Sequence, residues 1–97
     1  MSDRDAYVKK MQAKIEEWNA DLAKLEAKSK EAEADMRMKY DRQIDELREQ
    51  RDDAEERLRE LQEASGDSWK RLREGMESAW DDMTKAFRDA ADRFRSS

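Results

Sequence analysis

The sequence predicts an all-α fold: a long helix and a shorter C-terminal helix, forming a helical hairpin that assembles as an oligomeric coiled coil. Three observations predict it. The 97 residues include no proline and only two glycines, Gly66 and Gly75, so residues that break helices and build turns are nearly absent. Charged residues make up 48% of the chain and hydrophobic residues 36%, with the charges alternating in sign; that is the composition of a coiled coil or long helix. Apolar residues also recur every three or four positions along almost the whole length, the period of a helix with one buried stripe.

The first helix is expected over about 3–64. Ser2 or Asp3 is a reasonable N-cap, and Asp5 places negative charge in the first turn. From there a heptad runs Val8, Met11, Ile15, Trp18, Leu22, Leu25, Ser29, Ala32, Met36, with a period near 3.5. This stripe is the candidate oligomer seam: Val8, Met11, Ile15, Trp18, Leu22, Leu25, Ala32 and Met36. It weakens at Ser29 and Ala32, whose small side chains bury little. Met36, Tyr40 and Ile44 are then spaced four and four, a stutter. The heptad resumes with Ile44, Leu47, Arg51, Ala54, Leu58 and Leu61. Arg51 falls on the seam, where its stem can cover apolar surface while its head reaches water; a buried partner carboxylate is the alternative.

A turn is expected at 65–68, in the stretch Ala64-Ser65-Gly66-Asp67-Ser68. Gly66 can end a helix in the left-handed conformation, and Asp67 or Ser68 can cap the next. One continuous helix stays open as the alternative, because the apolar repeat keeps phase across the segment and Lys70, Arg71 and Arg73 are the wrong sign for a helix start. The second helix is expected over about 68–95. Its apolar face is Trp69, Leu72, Met76, Trp80, Met83, Phe87 and Phe94, spaced by three, four and four, an eleven-residue repeat that suits straight packing. Gly75, Ala79, Ala86 and Ala90 form a small-residue strip beside it.

These lengths imply a partner. A helix over 3–64 would be about 90 Å long and the second about 40 Å. Folded back, the second can cover only residues near 38–64. The stripe from Val8 to Met36 then needs another chain, since a lone helix with an exposed apolar stripe is unstable in water. A homo-oligomer is therefore expected.

Little in the sequence points to chemistry. There is no His and no Cys, which removes the usual nucleophile–base arrangements and most transition-metal sites. Two isolated glycines make no phosphate-cradling loop. Acidic neighbours such as Asp52-Asp53, Glu55-Glu56 and Asp81-Asp82 diverge by about 100° around a helix and read as solvated surface. No enzyme activity, cofactor or metal is expected. The net charge of −5 argues against nucleic acid as a partner. With no apolar run of signal or transmembrane length, the cytoplasm is the expected location. One rival use exists for residues 69–95. They carry seven Lys or Arg against six Asp or Glu, and aromatic residues opposite a charged face also describe helices that lie on membrane or granule surfaces. The small-residue strip favours a buried face instead.

The segments Trp18-Asn19-Ala20-Asp21, Leu25-Glu26-Ala27-Lys28, Ser65-Gly66-Asp67-Ser68-Trp69 and Ala79-Trp80 resemble those of small coiled-coil proteins of proteobacteria and cyanobacteria, some labelled stress-response proteins. The resemblance spans nearly the whole chain but rests on packing residues. It implies a helical cytoplasmic bacterial protein and carries over no catalytic residue. The last segment is also distantly similar to the eleven-residue repeats of apolipoprotein-like helices, without their prolines. The function these readings imply is structural: a non-catalytic homo-oligomeric coiled coil, a stress-associated scaffold.

Overall fold

Helices account for nearly every residue from 3 to 96, the span that the computed structural model describes, with side chains described over 3–93. There are three in this span: α1, Asp3–Glu31; α2, Ala34–Glu63; and α3, Gly66–Ser96. Their lengths of 29, 30 and 31 residues are almost equal. They stack side by side into a rod measuring 50 × 20 × 17 Å, about the length of one such helix. Neighbours in sequence run antiparallel, so α1 and α3 are parallel.

The expected long helix is therefore two. The chain breaks at Ala32-Glu33, where neither glycine nor proline marks a turn. Glu33 is the N-cap of α2, with an extended backbone (φ −64°, ψ 157°) and no side-chain capping bond. The reason for the break is burial. Folding α1 back onto α2 covers the stripe that a single helix of this length would leave in water. Val8, Met11, Ile15, Trp18, Leu22 and Leu25 are all buried inside the chain's own core. That burial no longer calls for a second chain.

The second corner also differs from expectation. The reversal occurs at Ala64-Ser65, where Ala64 is extended (φ −69°, ψ 146°). Gly66 is the first residue of α3, and no described residue, glycine included, has a positive φ. Asp67 and Ser68 belong to the first turn of α3 rather than to the loop. The Ser65 carbonyl accepts from the Ser68 and Trp69 amides, at 3.1 and 3.0 Å, and the Ser65 and Ser68 hydroxyls lie 2.9 Å apart.

One core runs the length of the rod. α2 contributes Tyr40, Ile44, Leu47, Ala54, Leu58 and Leu61; α3 contributes Met76, Met83 and Ala90. Fully burying a side chain such as Leu22, Ile44, Leu61 or Met76 contributes about 1.5–3 kcal/mol each.

Candidate helix-association site

The seams between helices are where this sequence concentrates its apolar side chains, and the three seams are built differently. Between α1 and α2 the heptad rows mesh, and polar pairs set the register. The Ser29 hydroxyl is buried and donates to Asp41 Oδ1 at 2.6 Å. The Arg51 guanidinium donates to Asn19 Oδ1 at 3.0 Å and to Asp52 Oδ1. Arg51 thus satisfies its head on an amide across the seam and on an exposed neighbour, between the two expectations raised for it. Glu26 and Arg48 form a half-exposed ion pair across the same seam, which solvent screening keeps to a modest contribution to stability.

Between α2 and α3 the packing is close, because α3 turns its small residues that way. Gly75, Ala79, Ala86 and Ala90 line the α2–α3 grooves. A Cβ built on Gly75 would meet the Arg57 guanidinium at 3.7 Å, an ordinary contact.

Between α1 and α3 large rings fill the space, and these two helices stand furthest apart. Tyr7 meets Trp69 edge to face, with ring centroids 5.9 Å apart; Trp18 meets Trp80 in the same way, also at 5.9 Å. Phe87 closes on Trp18 at 4.9 Å. Tyr7 and Trp18 are eleven residues apart in α1, as Trp69 and Trp80 are in α3. Parallel, nearly straight helices bring such rows into step, because eleven residues make three whole turns. Cations cover the outer edge of this row. The Arg73 guanidinium lies 5.4 Å from both the Tyr7 and Trp69 ring centroids, Arg4 lies 6.0 Å from Trp69, and the Lys14 ammonium lies 5.7 Å from Trp80. Burial, reinforced by the Glu77 carboxylate, raises the Tyr7 pKa against the opposing pull of Arg73.

Of the expected C-terminal face, Met76 and Met83 are buried, while Trp69, Leu72, Trp80 and Phe87 are half-buried against the core. The Phe94 side chain lies outside the described residues. Of the expected oligomer seam, Ala32 lies in the first corner and Met36 in the first turn of α2, both half-buried. The sequence reading missed the role of Tyr7, whose match to Trp18 at the spacing of Trp69 and Trp80 was the available signal. It also missed Arg37. That guanidinium donates to the carbonyls of Lys30 at 2.7 Å and of Ser29 and Ala32 at 3.4 Å, satisfying the C-terminal end of α1.

What remains on the surface is open groove between helices. One, of about 530 Å³, lies between α1 and α2 and is lined by Gln12, Glu16, Asn19, Glu55, Arg59 and Gln62 over an Ile15–Leu58 floor. Its walls are charged and amide side chains open to solvent. Among the described residues, no cluster of three or more potential ligands is arranged to hold a metal ion, and no helix is long and apolar enough to cross a membrane. No protein-family model matches the chain, and comparison with curated proteins and with solved structures gives no match.

Proposed function

We propose that the chain is a non-catalytic protein that works by helix–helix association with further copies of itself, serving as a scaffold of the stress-associated kind that its resemblance implies. One observation supports the reading: each helix packs its apolar stripe on the other helices of the chain, and the depressions on α1–α2 and α2–α3 are open interhelical grooves that a further helix can flank. Catalysis and small-ligand binding need a concave site that removes a ligand from water. A rod of three equal helices instead offers long grooves with charged and amide rims. Light scattering over a micromolar-to-millimolar concentration series tests this. Growth of the mass beyond one chain is expected, and a single-chain mass throughout the series overturns it.

A second reading, surface binding through α3, draws on the half-burial of Trp69, Leu72, Trp80 and Phe87. It requires α3 to undock, because these residues face the core in the closed rod. Strong binding to neutral lipid vesicles with a blue shift of tryptophan emission would favour it over self-association.

A further inference from the structure

The corner between α1 and α2 is held by tertiary contacts against its own local preference. Ala32 and Glu33 are both good helix formers, and glutamate is a poor N-cap. The φ of Glu33, −64°, is already helical; its extended ψ is what departs from a helix. Arg37 on the carbonyls of Ser29, Lys30 and Ala32, and the Ser29–Asp41 hydrogen bond, are the contacts that span the bend. The apolar stripe would also stay on one side of a straightened helix. Leu25, Ser29, Ala32, Met36, Tyr40 and Ile44 follow at three- and four-residue steps through the corner.

We propose that this corner opens and that two copies of the chain exchange α1. In the exchanged dimer, residues 3–63 of each copy form one helix about 90 Å long. The α1 of one copy fills the seat on α2 and α3 of the other. The seat is the same surface in both states, so both α1 seams of the closed rod are remade between chains while the α2–α3 seam stays within each chain, which is why exchange of an identical element is a low-cost route to a dimer. Carrying the register of the Ser29–Asp41 and Asn19–Arg51 pairs across two chains puts the two-fold axis beside Asp35. Ala32 and Met36, half-buried at the corner, then lie on either side of that axis. The second corner has less tendency to open, because Gly66 disfavours a continuous helix.

The proposal rests on self-association as the function and names its mechanism. Its test uses the full chain, refolded at low and at high concentration. Dimer is expected in proportion to the refolding concentration, with small-angle scattering giving a rod about twice the 50 Å closed length. Glu33→Pro should abolish the dimer while leaving the monomer folded, since proline fits the φ of −64° but breaks a continuous helix. Glu33→Gly, which strains neither state, should lower the dimer fraction severalfold. Arg37→Ala should raise the dimerisation constant by about an order of magnitude, as the bonds it removes exist only in the closed corner. The chain has no cysteine, so Gln12→Cys and Gln62→Cys chains can be refolded together. Positions 12 and 62 share one groove, and a disulfide between the two different chains forms only if α1 has crossed over. A dimer that survives Glu33→Pro and yields no such disulfide overturns the exchange but leaves self-association standing. A single-chain mass under every refolding condition overturns both.

Discussion

Replacing Trp18 with alanine tests whether α1 and α3 form a true core seam. Trp18 is 6% exposed and touches two rings, Trp80 at 5.9 Å and Phe87 at 4.9 Å between centroids. Truncating a large buried aromatic costs about 3–5 kcal/mol, and edge-to-face pairs are each worth about 0.5–1.5 kcal/mol beyond the area they bury. One effect works the other way. The Trp18 indole N–H is buried without a hydrogen-bond partner, and removing it returns about 1 kcal/mol. The balance is a loss of about 4 kcal/mol, against a total of about 5–15 kcal/mol expected for a domain of this size. At roughly 4–8 °C per kcal/mol, the melting temperature should fall by about 15–30 °C. Trp18→Phe keeps a ring in the seam and deletes the unpartnered donor, so it should cost about 1 kcal/mol or less. Far-UV circular dichroism during urea and thermal unfolding measures both. A Trp18→Ala melt within a few degrees of wild type would refute the packed seam, and a Trp18→Phe loss as large as that of alanine would refute the assignment of the energy to ring contacts.

Two further outcomes follow from single positions. Gly66→Ala should stabilise by up to about 1 kcal/mol, because Gly66 is helical, lacks a positive φ and has nothing within 4 Å of an added Cβ; a lowered urea midpoint would contradict that geometry. Tyr7 gives a pH dependence: its folded pKa is raised by burial and Glu77, so above pH of about 10 the folded state holds a proton that the unfolded state has lost. The stabilisation is complete below the unfolded pKa and is lost as pH rises through the folded value. In a Tyr40→Phe background, Tyr7 phenolate absorbance should rise later in the folded chain than in urea, and adding Tyr7→Phe should flatten the alkaline fall in stability; coincident titrations would refute it.

The sequence by itself determined that this chain is helical and which side of each helix is apolar. Missing prolines, alternating charges and three-four spacing are local properties, and Val8, Met11, Ile15, Trp18, Leu22 and Leu25 were legible as one buried stripe from spacing alone. The eleven-residue rhythm of α3 was legible too, because it is a period. Tertiary structure decided where the chain bends and what covers the stripe. No residue at Ala32-Glu33 forbids a helix; the bend is held by the Arg37 guanidinium reaching back to α1 and by Ser29 reaching Asp41. Both are contacts between segments that meet only after the chain has folded back. The weakening of the heptad at Ser29 and Ala32 and the stutter at Met36-Tyr40-Ile44 were the only local traces of that corner. The pairing of Tyr7 with Trp69 was hidden for the same reason: matching spacings in two distant segments become a contact only when the helices lie parallel, and that arrangement comes from burying each stripe against two neighbours at once, which no local window of sequence contains.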